Sequence, residues 1–451
     1  MMEPVAYGID FGTTNSSLAV TYDDGSVEVL DVEESNPIMP SLVYLNRDGN
    51  RLSGTGALRG FLDAATASTR CRRCSLVDWE SGVGYTPCRQ MRPDGHCQDA
   101  RLLSQVKSVL SDDEFNFTHS WGVDFEVEDL VATVLSNLKR TADRRLSSDI
   151  TRLVLGHPVR FKGAMGSAFE RRQSMAEERL RGAAERAGFE DVVLVAEAQA
   201  AVALDEIDAG ITVCTDFGGG TFDVSVIEVH GADGQILALD GVDVGGEEFD
   251  AKIFDNVIRP AIGLDVEFTR RDGQTRTLPA ELRSRLRSLS GLKFLLADGD
   301  LTGRLSQLRG GGNDQLLHTI DELLYGGQAW SFYGAIEAAK VALSSVNQTY
   351  IDYRRPWLDL ELPLSRTTFE ELIATDLERV RACLEDAIAS AEVRPDEVHF
   401  VTRTGGSSQI PAFGRLVADL FPGAEIVQRD PYTCVVAGLA VYAGDEWGNN
   451  E

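Results

Sequence analysis

The chain has 451 residues, enough for roughly three structural units at ~150 residues each, and 43% of them are hydrophobic, so each unit can bury a core. A formal charge of −28 repels nucleic-acid phosphates and anionic lipid headgroups, which argues against a nucleic-acid-binding or membrane-surface protein. Seven cysteines are an odd number; with no basic-then-apolar leader before Tyr7 and no apolar run near the ~18 residues of a membrane span, they point to a reducing, cytoplasmic setting.

In chain order, the first distinctive segment is Ile9-Asp10-Phe11-Gly12-Thr13-Thr14 leading into Ser17-Leu18-Ala19-Val20, which reads as strand, tight turn, strand. A polar stretch from Gly54 to Leu103 follows and carries four of the seven cysteines. Helical periodicity marks Asp129 to Leu146 and Met175 to Ala187, and the short apolar runs Arg152 to Leu155 and Val192 to Val195 read as strands. The opening pattern then recurs, as Thr215-Asp216-Phe217-Gly218-Gly219-Gly220 leading into Asp223-Val224-Ser225-Val226. Phe268 to Gln328, rich in Arg, Leu and Gly, reads as a second elaboration. Val398 to Val401 is a further strand, and Val435 to Ala443 is the last predicted helix. Strands interspersed with helices predict an α/β class, and a repeat half a chain apart predicts two similar lobes facing a cleft.

A turn of glycines and threonines presents backbone N–H groups and hydroxyls to one point, which suits an anion. One such turn alone is more often an ordinary hairpin; a second copy at a matching position reverses that and favours a site. A carboxylate opens each turn, so Asp10 and Asp216 would hold a hydrated Mg²⁺ between them while the backbones grip phosphates. No lysine-bearing Gly-rich loop feeds a helix, so a strand-loop-helix nucleotide site is absent.

The strings "YGIDFGTTNSSLAV" and "CTDFGGGTFDVSVIEV" resemble the two phosphate signatures of the 70 kDa heat-shock proteins, in the actin, hexokinase and heat-shock ATPase superfamily. "VGGEEFD" at Val244 to Asp250, "AIEAAKVALSS" at Ala335 to Ser345 and "TGGSSQIPAF" at Thr404 to Phe413 agree in order, so the resemblance spans nearly all of residues 5–445. It is strongest to the short, YegD-like members. It implies a two-lobed actin-like ATPase fold, a duplicated ribonuclease H-like core around a central nucleotide cleft. Lobe I is expected over residues 1–209, with an insert at about 54–103, and lobe II over 210–427, with an enlarged subdomain at about 244–364; a crossing helix in 428–451 would return to lobe I. Because the chain ends soon after its last predicted helix, no peptide-binding domain is expected.

The implied function is an ATP-binding, slowly ATP-hydrolysing module that uses ATP/ADP and Mg²⁺ and passes its nucleotide state to a separate protein partner or co-chaperone. A non-catalytic nucleotide-dependent scaffold or regulator is the alternative. A superfamily kinase would need an acceptor pocket that no segment supplies, and an actin-like filament protein matches these strings less closely.

By the resemblance, Gly12, Thr13, Thr14 and Asn15 contact phosphate from the first lobe, and Gly218, Gly219, Gly220 and Thr221 from the second. Asp10 and Asp216 would bind Mg²⁺ through water, with Asp223 and Glu197 ordering or deprotonating the attacking water. Lys107 aligns with the lysine that stabilises the γ-phosphate; with six lysines against 37 arginines, a lysine here hints at a chemical requirement. Glu337 and Lys340, three apart on a helix, and Ser344 would reach the ribose, while Gly405, Gly406 and Ser407 would hold the adenosine and Gly245 and Gly246 the α-phosphate. Val341 and Gln409 stand where the family has arginines that sandwich the adenine, which implies weaker or less selective base binding. Tyr432 replaces an acidic residue, Ala198 a proline, and Pro158 matches a hinge proline. Helices after Glu197 and after Tyr432 are expected to cross at the cleft floor.

Cys71 and Cys74 form a C-x-x-C, followed by Cys88 and Cys97; four thiols within the insert would make a structural Zn²⁺ site, against the alternative of reduced cysteines in a loop. Cys214, Cys383 and Cys434 lie in apolar surroundings and read as core.

Overall fold

The structure is a computed structural model that describes residues 2–65, 68–70, 96–98, 100–120, 123–161, 169–203, 209–230, 233–265, 267–269, 275–289, 291–292, 314–325, 328–428 and 433–448. Its contacts divide the chain into two units, Met1–Phe61 with Arg101–Gly246 and Asp376–Glu451, and Leu62–Ala100 with Glu247–Thr375.

Two sheets with the same strand order build the first unit. In one, Pro4–Phe11, Asn15–Tyr22 and Val27–Val29 form an antiparallel meander, and Arg152–His157 then Asp191–Ala196 add in parallel on the other side of Pro4–Phe11. In the other, Ala209–Phe217, Phe222–His230 and Asp233–Val242 form the meander, and Val398–Thr404 then Glu425–Gln428 add in parallel beside Ala209–Phe217. The core is thus duplicated and of α/β class, as the repeated sequence led one to expect. Ile38–Pro40 is an extra strand on Asn15–Tyr22.

The first sheet is covered on both faces, so its central strand is apolar on both. Tyr7, Ile9 and Phe11 share one core with Leu130, Val134 and Leu138 of the helix Val127–Leu146 and with Leu180 and Ala183 of the helix Phe169–Arg186. The alternate residue Ala6, with Val154, faces a second core made by Val435, Leu439 and Ala443 of the helix Cys434–Trp447 and by Ala200 and Ala201 of the helix Glu197–Val202. These last two helices are the predicted pair after Glu197 and Tyr432, and they pack on each other through small side chains.

In the second unit the helix Ala329–Ala342 packs on the hairpin Gln348–Arg355 and Leu358–Ser365. Phe254, Phe332, Tyr333 and Tyr353 form an edge-to-face and tilted aromatic cluster there. The segment expected as an elaboration contains, among its described residues, the helices Ala280–Arg285 and Asp314–Tyr325. Among the described residues no helix is long and apolar enough to cross a membrane.

Candidate functional site

The hairpin tips and the carboxyl ends of the adjacent parallel strands line a cleft, open to solvent, in the first unit. Its lining brings together Asp10, Gly12, Thr13, Thr14 and Asn15 from one turn and Asp216, Gly218, Gly219, Gly220 and Thr221 from the other. Lys107, Glu197, Asp223, Gly405 and Gly406 complete the set of expected residues found there.

Each hairpin stops pairing just before its glycines, at Phe11 opposite Ser16 and at Phe217 opposite Phe222. Gly218 N–H then donates to Thr221 O at 3.0 Å and closes the second turn. The two turns come close together: a Cβ on Gly219 would stand 3.0 Å from Thr14 Oγ1. A carbonyl aimed at a phosphate would repel it, and both turns deal with their first carbonyl in the same way. The Ser41 hydroxyl donates to Gly12 O at 2.8 Å, and the Ser407 hydroxyl to Gly218 O at 2.8 Å. Gly246 N–H adds a second bond to Gly218 O at 3.2 Å.

Below the turns, Lys107 Nζ lies 2.6 Å from Glu197 Oε1, with the two side chains 8% and 10% exposed. Lys107 projects from a short 3-10 turn, Val106–Val109, and Glu197 opens its helix at the end of the strand Asp191–Ala196. Burial pushes the Asp10 carboxyl up from 3.8 to about 7, with the neighbouring Glu197 and Asp216 adding to the rise and Lys107 opposing it. Asp216 rises to about 6 through burial and Glu197, against Lys107 and a hydrogen bond from Thr404. Asp223 rises to about 7 through burial, against the Thr221 hydroxyl that donates to it at 2.8 Å. Burial would lower the Lys107 ammonium, but Glu197, Asp10 and Asp216 outweigh it and hold the group above its ordinary value.

Carboxylates therefore outnumber the local cations, and Arg160, which also lines the cleft, is already paired with Asp240 at 2.8 Å. An all-oxygen donor set with surplus negative charge fits a hard divalent cation. Among the described residues no group of three or more such side chains converges closely enough to hold an ion directly. Gly405 closes over this cluster with φ of +80°, and a Cβ there would lie 2.4 Å from Asp216 Oδ1 and 2.5 Å from the Phe217 carbonyl carbon.

Other expected residues stand elsewhere. Ser407 is occupied with Gly218, while Gly245 and Gln409 are absent from the cleft lining. Glu337, Lys340 and Ser344 belong to the second unit, where Lys340 Nζ pairs with Asp250 at 2.8 Å and Glu337 is exposed. Cys71, Cys74, Cys88 and Tyr432 lie outside the described residues, and Cys97 sits on the strand His96–Gln98. Cys214, Cys383 and Cys434 are buried, in keeping with a core role. Sequence reasoning missed Arg160, Phe161, Ser108 and Ile38 in the lining. For Arg160 and Phe161 a signal existed, since they follow Pro158 at the carboxyl end of a parallel strand, where such folds place ligands.

The family model described as "Hsp70 protein" matches residues 6–267 and 331–451. It leaves out 268–330, close to the second elaboration. The chain is similar to the chaperone protein DnaK of Thermosipho africanus, 25% identical over 449 residues that cover 97% of this chain and 58% of that protein. It is also similar to the chaperone protein DnaK of Emiliania huxleyi, at 27% identity over 97% of this chain and 59% of the relative, and to the heat shock 70 kDa protein BIP3 of Oryza sativa, at 27% over 98% and 57%. The chain thus spans less than three fifths of the length of these relatives. A family match over well beyond half of its residues, laid on a duplicated sheet with two facing glycine turns, places the chain in the Hsp70 family.

Proposed function

We propose that this chain binds ATP with Mg²⁺ in the cleft of its first unit and hydrolyses it slowly, as a nucleotide-dependent conformational module. The observation that carries the reading is the pair of facing turns, their first carbonyls capped by Ser41 and Ser407, above a buried Lys107 held among carboxylates. Backbone N–H groups and threonine hydroxyls of Gly12–Asn15 and Gly218–Thr221 would take the β- and γ-phosphates, and Mg²⁺, when bound through water to Asp10 and Asp216, supplies the neutralising charge. Water adds to the γ-phosphorus, the bond to the β–γ bridging oxygen breaks, and ADP leaves with inorganic phosphate. Asp223 or Glu197 accepts the proton from water; Lys107 turns from Glu197 to the phosphoryl oxygens and offsets their charge.

The ribose would meet Glu337, Lys340 and Ser344, the adenosine Gly405 to Ser407 and Gln409, and the α-phosphate Gly245 and Gly246. Lobe I would comprise residues 1–209 and lobe II 210–427, with 428–451 returning to lobe I, and rotation of the lobes would report nucleotide state to a separate protein partner in the cytoplasm. A structural Zn²⁺ on Cys71, Cys74, Cys88 and Cys97 would be seen as about one zinc per chain by elemental analysis.

Calorimetric titration with ATP, with Mg²⁺ present and with it chelated, tests the binding half. Chelation and Asp216→Asn should each weaken binding by about tenfold or more, equivalent to ~1.4 kcal/mol. ATP affinity indifferent to both would sink the reading.

A further inference from the structure

Arg179, on the helix Phe169–Arg186, is only 9% exposed, and among the described residues no carboxylate pairs with it. Its Nη1 donates to the carbonyls of Val109 at 3.4 Å, Leu110 at 2.9 Å and Asp112 at 3.0 Å, and its Nη2 donates to Asn116 Oδ1 at 2.6 Å. Arg172 on the same helix holds Asp113 at 3.0 Å, so one helix face gathers the whole segment that follows Lys107. That segment is joined to Lys107 by its own backbone, because Leu110 N–H donates to Lys107 O at 3.2 Å. The turn bearing Lys107 is also entered through a left-handed Gln105, with φ of 59° and ψ of 35°. A left-handed residue other than glycine costs on the order of 1 kcal/mol and persists where its surroundings over-determine it.

We infer that Arg179 is a positioning residue that sets the Lys107 ammonium in the cleft, through Leu110 and the 3-10 turn. A guanidinium is suited to this, since its fixed fork of donors can satisfy several carbonyls at once, whereas an ammonium has no such fixed plane. The kinetic part of the inference rests on the hydrolysis proposed above; the geometric part does not.

The test combines phosphate release, MgATP affinity and the acetylation rate of each lysine by an N-hydroxysuccinimide ester, mapped by mass spectrometry. In Arg179→Met, phosphate release should fall by about tenfold or more with MgATP affinity within about threefold, and adding the change to Lys107→Met should cause no further loss. Lys107 acetylation should rise by about fivefold or more while the other lysines change little, because the ammonium leaves its buried pairing. Asn116→Ala, which removes one bond and spares the helix, should shift both readouts in the same direction by less, and Arg179→Lys should rescue only part. If wild type releases no phosphate yet Lys107 acetylation still rises in both variants, the positioning role stands and the hydrolysis reading falls. Unchanged Lys107 acetylation in folded Arg179→Met and Asn116→Ala overturns the inference, as does an additive loss in the double variant.

Discussion

Replacing Lys107 by methionine keeps most of the side-chain volume and removes the cation that faces Glu197, Asp10 and Asp216. The pair it breaks is 2.6 Å long between side chains 8% and 10% exposed. Removing one partner of a buried ion pair costs about 3–5 kcal/mol, because the other charge is left desolvated and unmatched. The cleft opens to solvent, so the lower end, about 3 kcal/mol, is expected for the ligand-free protein at pH 8. Adding Glu197→Gln removes the stranded charge and should recover most of the loss. The pH dependence separates this account from simple misfolding. The Lys107 ammonium is held above its ordinary 10.5, so its contribution is present throughout the range below that value and is lost only as pH rises through the higher folded-state value. In the variant, Asp10 and Asp216 lose the cation that opposes their upward shifts and take up protons more readily as pH falls, so the deficit should shrink below about pH 6. Urea unfolding at pH 8 and pH 5 measures all three proteins. A single variant within about 1 kcal/mol of wild type at pH 8, or a double variant no better than the single, would refute the electrostatic reasoning.

Asp223 has its folded-state value raised from 3.8 to about 7, so the ligand-free protein loses stability as pH rises through that window. Asp223→Asn should therefore be more stable than wild type at pH 8, by up to roughly 4 kcal/mol, and nearly equal to it at pH 4; equal melting curves at pH 8 would count against it. Gly405→Ala places a methyl 2.4 Å from the Asp216 carboxylate in a backbone with φ of +80°, and should cost about 3 kcal/mol and abolish MgATP binding; calorimetry finding normal affinity would contradict the packing described. Val341 is 57% exposed and Gln409 carries no charge, so GTP should bind within about tenfold of ATP, and a GTP affinity far below that would show that the base is recognised by other means.

What the sequence revealed follows from how local each signal is. The two glycine turns are contiguous strings, so Asp10, Thr13, Asp216 and Gly219 could be named before any sheet was paired. Lys107 was conspicuous because lysine is rare here, and for the same reason Arg179 was hidden among 37 arginines. It belongs to no motif and acquires its role from Leu110, far along the chain. Boundaries failed in the same way. The helix expected at Met175 begins at Phe169, since its first turns carry Arg171 and Arg172, which reach Asp113 and give no apolar periodicity. The strand expected to end at Val401 runs on to Thr404, because polar Thr402 to Thr404 pair with Cys214 to Asp216 and so carry the chain to the cleft. Ser407 was read as a nucleotide contact, and its bond to Gly218 could not be foreseen without the fold.

Phosphate release under saturating MgATP, comparing wild type with Asp216→Asn and Lys107→Ala at equal folded concentration, decides whether the cleft hydrolyses ATP. A slow wild-type rate, lowered by about a hundredfold or more in each variant, is the result this account expects. Equal rates in all three proteins would contradict it and leave a nucleotide-dependent scaffold in its place.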